Sequence, residues 1–528
     1  MRGTALEGLS RDAVVVAVVS EIGPGFSPDI KLNRKMGFSP RDMFSALAGL
    51  AQILKRAALL LAALCIVATP AQTLARPGWA GSGIGAEAWW RSAVFYRLAV
   101  PAFQDSDGDG FGDLNGVTQR LDYLQSLGID AIILPTTGDE ASFDNLIHEA
   151  SSRHIRIVIE LRVSSAEVLG QVRLWLTRGA AGISVVGAFQ TPGDEAAAHL
   201  PELAALVNSF PGQRVLVARP YSNGQITRAN AAHLVGQIIN LPPFFFTTGV
   251  HNTALEAAHL PLPTGSSPML QTTDTIVDMF GDETPRGVGM QKIIAARLLL
   301  SPGAAYFNWG QELGLERPRG EVPNMVMQWT PSNITPPTPE LEAEPKPAEP
   351  PPDPNVYGYG AFKPYVAPKP VKKPPPPGAR PDPNTLPGFT SGTLHADMSP
   401  NGATANVAVE NADPNSLLNF YRRLIQLHHD NASIRSGAEI SLNHDADNAL
   451  VWVRRAPAGA TTAGNVIVTC NLGDKPLTLS LDPDLATLHI HPGTLRPLAG
   501  SWTATPISQY SNHITLPPYS VFIGELRN

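Results

Sequence analysis

Four aspartates fall in the run DSDGDGFGD, with Asp105, Asp107, Asp109 and Asp113 at alternate positions or close to it and glycines between them that permit a tight turn. Hard cations such as calcium take six to eight oxygen ligands at roughly 2.3 to 2.6 Å, and carboxylates at this spacing supply oxygens of that kind. Carboxylates this close repel one another unless a cation sits among them. The run therefore predicts a calcium site ligated by Asp105, Asp107, Asp109 and Asp113, with the Phe111 carbonyl also available. It departs from an EF-hand, because the twelfth position is Gly116 rather than Glu and no helix precedes it. The alternative is an Asp-Gly turn that holds no metal.

The elements around this loop alternate. Short β-branched runs and helical stretches follow one another from Trp89, the pattern of an α/β protein with parallel strands. AVFYRLAV (93–100) reads as a first strand. Val117, Leu121, Leu124 and Leu127 recur at helical spacing up to Gly128, and IDAIILP (129–135) reads as a second strand. Phe143, Leu146, Ile147 and Ala150 mark the next helix, before IRIVIEL (155–161). Further units lie near Gly182 and Val215, followed by a helical stretch from Gln291 and the run GAAYFNWG (303–310). The count suits an eight-fold barrel, although an open doubly wound sheet would read the same way.

Twenty of the fifty prolines fall between Pro331 and Pro387, a composition that predicts an extended, disordered insertion. A helix returns over residues 415–431, with Leu417, Phe420, Tyr421, Leu424 and Leu427 on one face. Short alternating runs from Ala449 to Leu526 then predict an antiparallel β domain. Near the start, Lys55 and Arg56 precede an apolar run, 57–68, and Thr73-Leu74-Ala75 supplies the small residues of a cleavage site. The expected organisation is thus a leader with a signal peptide or signal anchor over 1–75 and a barrel over 89–330. The insertion occupies 331–387, the end of the barrel 388–435 and a C-terminal β-sandwich 436–528. A run shorter than the ~20 residues of a membrane span favours cleavage and export to the periplasm or cell exterior. An anchor beginning near Met43 would instead leave the chain on the membrane. The charge of -7, without long basic runs, excludes nucleic-acid binding. Two cysteines, Cys65 and Cys470, exclude a disulfide framework.

The stretch from Trp89 to Pro135, in which a first strand runs into the aspartate loop, resembles the α-glucosidase and trehalose synthase branch of the α-amylase family of glycoside hydrolases. WLTRGAAGI, RVLVARPY, YFNWGQELGL, VMQWTPSN, LPGFTSG and DPNSLLNFYRRLIQL resemble further landmarks in family order. The resemblance implies a (β/α)8 TIM barrel followed by an antiparallel β domain, and an α-glucan or oligosaccharide ligand.

It also locates what is missing. Retaining glycosidases hold two carboxyl groups about 5 to 5.5 Å apart, one as nucleophile and one as general acid/base. The resemblance puts Val186 at the nucleophile, Ser184 at its supporting arginine and Arg219 at the general acid. Ser164 and Ser165 stand at the family's Asn-His pair, and Thr272, Thr273 and Asp274 at its Asn-His-Asp triplet, so Asp274 alone is retained. Val186 cannot attack an anomeric carbon, and a guanidinium exchanges no proton at neutral pH. The third strand also passes to the next helix near Ala166 without room for the domain that roofs the family's active site. Arg219 is expected either to pair with Asp274 or Glu160 or to face solvent. His428 and His429 are adjacent on a helix and cannot share a metal.

The expected function is an exported, catalytically inactive relative that binds carbohydrate or scaffolds a protein partner. Two alternatives stand beside it. One is an active glucosidase or transglycosylase with relocated carboxylates, Asp274 with Asp194 or Glu195. The other is a membrane-anchored ancillary subunit of the kind seen beside amino-acid transporters, an analogy of architecture alone.

Overall fold

A computed structural model describes residues 88–163, 167–187, 198–220, 236–241, 267–272, 284–315, 325–331, 388–395, 398–442, 448–457 and 463–527. The leader, the proline-rich stretch from residue 332 to 387, Ser164, Ser165, Asp194, Glu195, Thr273 and Asp274 lie outside them.

Eight strands close a parallel barrel in sequence order: β1 (Val94–Arg97), β2 (Ala131–Pro135), β3 (Arg156–Arg162), β4 (Gly182–Gly187), β5 (Val215–Pro220), β6 (Gly236–Leu241), β7 (Ser267–Thr272) and β8 (Ala304–Asn308). Closure is seen at β1, which pairs with β2 through Phe95↔Ala131 and with β8 through Phe95↔Tyr306. The barrel excludes the open doubly wound sheet. Alternate residues turn inward, as the two-residue repeat of a strand requires. Phe95, Ala131, Ile133, Val158, Val215, Val217, Ala304 and Tyr306 pack into one interior cluster.

The crossover helices are α1 (Leu114–Gln119), α2 (Leu121–Leu127), α3 (Glu140–Ser152), α4 (Val168–Arg178), α5 (Leu200–Ser209) and α6 (Pro285–Leu299). After them come α7 (Val407–Ala412), α8 (Leu417–Asp430) and α9 (Ala432–Ser436). Side chains close their first turns: Asp113 accepts from Gly116 N, Asp139 from Ser142 N, Thr284 from Gly287 N and Ser416 from Asn419 N. The first helix that the spacing predicts is two helices. The chain breaks at Arg120, whose guanidinium turns away to donate to Gln104 Oε1 and the Gly388 carbonyl and lies 4.1 Å from the Trp329 ring centroid. β3 reaches α4 through residues 163–167 alone, so no roofing domain follows it.

The C-terminal domain is a six-stranded sheet ordered β14-β13-β16-β11-β10-β9 with a two-stranded sheet, β12-β15. The strands are β9 (Ala438–Leu442), β10 (Ala449–Arg455), β11 (Val466–Asn471), β12 (Leu477–Leu479), β13 (Thr494–Gly500), β14 (Gln509–Tyr510), β15 (Ile514–Leu516) and β16 (Ser520–Arg527), and a short α10 (Asp482–Thr487) lies between β12 and β13. The domain docks on α6. Lys292 donates to the Ser501 carbonyl at 2.9 Å, and Arg297 forks onto Glu439, which Arg454 approaches at 3.6 Å. No described helix is long and apolar enough to cross a membrane.

Candidate functional site

The carboxyl ends of barrel strands are where this architecture presents chemistry. Three alternate strands meet there: Arg97 ends β1, Glu160 lies near the end of β3 and Arg219 near the end of β5. Each is a register step above an interior apolar residue, Phe95, Val158 and Val217, so its side chain also turns inward. Glu160 is buried and receives both guanidinium forks. Arg97 donates through Nε at 2.9 Å and Nη2 at 2.8 Å, and Arg219 through Nε at 3.2 Å and Nη2 at 3.1 Å. Burial alone would raise this carboxyl, but the charges and hydrogen bonds of Arg97 and Arg219 outweigh it and hold the pKa at about 2. The Glu160 partnership is one of the alternatives expected for Arg219, and Asp274, the other candidate partner, lies outside the described residues.

Val186 stands beside Arg219 in register on β4 and is buried. Ser184, its neighbour one inward step deeper, is fully buried with its hydroxyl unpaired. Among the described residues of the barrel strands, Glu160 is therefore the carboxylate at the mouth, and it is locked between two cations. A group held at pKa 2 and fully engaged by arginines is a poor proton donor at neutral pH.

The aspartate loop leaves the same face after β1. Asp105, Asp107 and Asp109 offer carboxylate oxygens within 4.8 Å of one another. Asp105 is buried; its Oδ1 accepts from the amides of Asp107 and Gly108, and its Oδ2 from the amide of Gly110 and the Thr390 hydroxyl. Gly110 has φ +90, and a Cβ there would meet the Thr393 carbonyl oxygen at 2.0 Å, so a side chain fits neither the backbone angle nor the space. Asp113 is set apart from the three. Its carboxylate accepts from the amide and hydroxyl of Ser106 and caps α1 at Gly116 N. Phe111 is half exposed and stacks on His395, ring centroids 5.0 Å apart, so the stretch 388–395 clasps the loop. Burial first, and then the neighbouring carboxylates Asp109, Asp105 and Asp113, raise Asp107. A donor set of three crowded carboxylates suits a hard divalent cation.

Three charged groups that the sequence did not single out stand out in the structure, Arg97 partly buried and Glu312 and Glu410 buried. Arg97 was legible in principle, as a charge at an inward position of an apolar strand. Glu312 is sealed, accepts from the Tyr96 and Tyr123 hydroxyls at 2.8 and 2.7 Å, and is raised by burial. Glu410 receives Leu418 N at 2.8 Å and is pushed up to about 8, chiefly by burial. The two histidines have structural partners: His428 lies between the Leu299 and Ser92 carbonyls, and His429 pairs with Asp130 at 2.8 Å.

Residues 100–137, which contain the aspartate loop, match the family profile described as alpha amylase, catalytic domain. Over that stretch the chain is similar to the alpha-amylase family. It is 39% identical to trehalose-6-phosphate hydrolase of Escherichia coli (strain K12) over 14% of this chain and 17% of that one. It is 40% identical to glucan 1,6-alpha-glucosidase of Streptococcus pneumoniae serotype 4 over 15% of this chain and 19% of that one. The matched stretch thus spans less than a fifth of either relative. In fold, the chain is similar to isomaltulose synthase from Klebsiella sp. LX3, with TM-score 0.59 and 14% identity over 83% of this chain and all of that one. It is also similar to trehalulose synthase MutB from Pseudomonas mesoacidophila MX-45, with TM-score 0.58 and 16% identity over 84% of this chain and all of that one. Family likeness in sequence is thus placed at residues 100–137, the aspartate loop and β2, and the solved structures add a likeness of fold.

Proposed function

We propose that this chain is an exported carbohydrate-binding relative of the alpha-amylase family that does not hydrolyse glycosidic bonds. The observation that carries the reading is the cluster at the barrel mouth. Arg219, at the position the resemblance assigns to the general acid, is bonded through Nε and Nη2 to the one described carboxylate there, while a buried isopropyl group fills the position of the nucleophile. Retaining hydrolysis needs one carboxylate free to attack and another able to exchange a proton. Neither role is open to Val186, Arg219 or an arginine-bound Glu160. The relatives named trehalose-6-phosphate hydrolase and glucan 1,6-alpha-glucosidase support carbohydrate metabolism as the setting.

A structural calcium ion belongs to the same proposal. Asp105, Asp107 and Asp109 would hold it with their carboxylates and Phe111 with its carbonyl, while Asp113 anchors the loop to α1. The ion would neutralise the crowded carboxylates and fix the loop against residues 388–395. Export rests on the basic and apolar stretch 55–75, and a mature N-terminus at Arg76, read by mass spectrometry, is its expected signature.

The deciding experiment incubates purified chain with maltose, isomaltose, trehalose and starch, with and without a chelator. No sugar release is expected. Release at a rate that chelation abolishes would overturn the reading.

A further inference from the structure

The side chains of α8 divide by helical spacing. Leu417, Phe420, Tyr421, Leu424 and Ile425 are buried in the core, whereas Asn419, Arg422, Arg423 and Gln426 recur at the i, i+3, i+4, i+7 steps of one face and point the other way. The end of α7 and the turn at Pro414 return beside that outward stripe. Between them lies an open cavity of about 320 Å³, lined from α8 by Asn419, Arg422, Arg423 and Gln426 and from the other side by Asn411 and Pro414. Small-molecule pockets begin at about 300 Å³ and fix their ligands with a few polar groups.

No acid lines this cavity, and the two guanidiniums reach neutral acceptors only. Arg422 donates through Nη1 to Asn411 Oδ1 at 2.6 Å and Asn419 Oδ1 at 3.0 Å, and through Nη2 to Ser126 Oγ at 3.4 Å. Arg423 donates through Nη1 to the Pro414 carbonyl at 2.7 Å. Arg422 Nε and Arg423 Nε and Nη2 are buried with no acceptor among the described residues. Buried polar atoms ordinarily carry a partner. Burial lowers the Arg423 guanidinium and the charge of Asp413 opposes it only in part; Asp413 lies outside the lining and its Oδ1 accepts from the Asn415 amide. Two adjacent guanidiniums without a carboxylate partner match carboxylate and phosphoryl oxygens.

We propose that this cavity binds a small oxyanion, phosphoryl or carboxylate, between Arg422 and Arg423, with the exposed carboxamide of Gln426 as a further donor. None of the lining residues belongs to the barrel mouth, so the site is independent of whether the mouth hydrolyses sugars.

Isothermal titration of the whole chain at low ionic strength with inorganic phosphate, acetate, glycerol 3-phosphate and neutral glycerol tests it. Anions are expected to bind and glycerol is not. Glycerol 3-phosphate binding more tightly than phosphate identifies an esterified ligand, equal binding identifies the free anion, and binding of acetate alone identifies a carboxylate. Arg422→Gln and Arg423→Gln should each weaken binding roughly ten-fold, the lower worth of a hydrogen bond to a charged group. Gln426→Glu sets a carboxylate in the cavity at an exposed position and should weaken binding by a similar factor, so it decides the matter where the arginine variants do not fold. Arg173→Gln removes an exposed arginine from α4 and should leave binding unchanged. Absence of binding by every anion, unchanged binding in a folded cavity variant, or an equal loss in Arg173→Gln, the mark of an adventitious ion only, overturns the proposal.

Discussion

Replacing Glu160 by Gln removes the single negative charge that two guanidiniums share, and the cost can be worked from two directions. Removing one partner of a buried ion pair typically costs about 3 to 5 kcal/mol, because the remaining charge is left uncompensated. Both arginines keep some contact with solvent, which places this site at the lower end. Independently, the carboxyl is held at about 2 against an ordinary 4.5, and at about 1.4 kcal/mol per pKa unit that difference is roughly 3 kcal/mol. Arg219→Gln leaves Arg97 and Glu160 matched and should cost less, about 1.5 kcal/mol, the low end for hydrogen bonds to a charged group. Urea denaturation followed by circular dichroism at neutral pH measures both variants. Because the folded pKa is depressed, the stabilisation is complete above the ordinary carboxylate value and disappears as pH falls through the folded one. The gap between wild type and Glu160→Gln should therefore be constant near neutrality, narrow below 4.5 and close near 2. A neutral-pH cost for Glu160→Gln no larger than that for Arg219→Gln would refute this account of the mouth.

Calcium at about a hundred times its dissociation constant should stabilise the chain by about 2.7 kcal/mol, so chelation should lower the melting temperature of wild type but not of Asp105→Asn; equal shifts would sink the metal assignment. Glu410 stays protonated in the fold up to about pH 8 while the unfolded carboxyl ionises near its ordinary 4.5, so stability falls across that window as pH rises. Glu410→Gln keeps an oxygen for Leu418 N and should be more stable than wild type at pH 8, by roughly 2 to 4 kcal/mol, and indistinguishable from it at the acid end; a less stable variant at pH 8 would contradict the burial argument. Burial lowers His429, but the hydrogen bond and charge of Asp130 outweigh it and raise the imidazole overall. Its stabilisation is therefore complete below the ordinary histidine value and lost as pH rises through the raised one. His429→Ala should cost more in mildly acidic than in mildly alkaline buffer, and thermal melts showing no such difference would exclude the pair as a contributor.

The frame was legible because its signals are local. β-branched runs, caps and αL glycines act over a few residues, so strands β1 to β5 and β8 and helix α8 fall where periodicity predicts them. Barrel closure was not legible, because β1 pairs with β8 across more than half the barrel sequence and no local pattern encodes that contact. The break at Arg120 was missed for the same reason: its partners, Gln104, Gly388 and Trp329, come from three separate stretches. At the site, the aspartate spacing predicts four converging carboxylates, of which Asp105, Asp107 and Asp109 come together. It did not reveal that Asp113 is committed to Ser106 and to capping α1. Arg219 was recognised as a charge in need of a partner, and Glu160 was one of two candidates. Arg97 went unnoticed because a single arginine in an apolar strand reads as an edge residue until the barrel closes and turns it inward.

The three mouth residues are best understood as a set. An arginine near the end of β5 without an acidic partner would leave a largely buried charge uncompensated, a cost of about 3 kcal/mol that no neighbouring apolar contact offsets. Glu160 on β3 removes most of that cost, and Arg97 on β1 keeps Glu160 ionised through its own fork. Conversely, a second carboxylate in Arg219's place would face Glu160 in the same layer and raise both groups. The layer therefore accommodates either acids or the arginine pair, with Glu160 deciding between them. Restoring an acid at position 219 alone would leave this barrel less stable and still without a nucleophile at Val186, so the chemistry of the mouth depends on the layer as a whole.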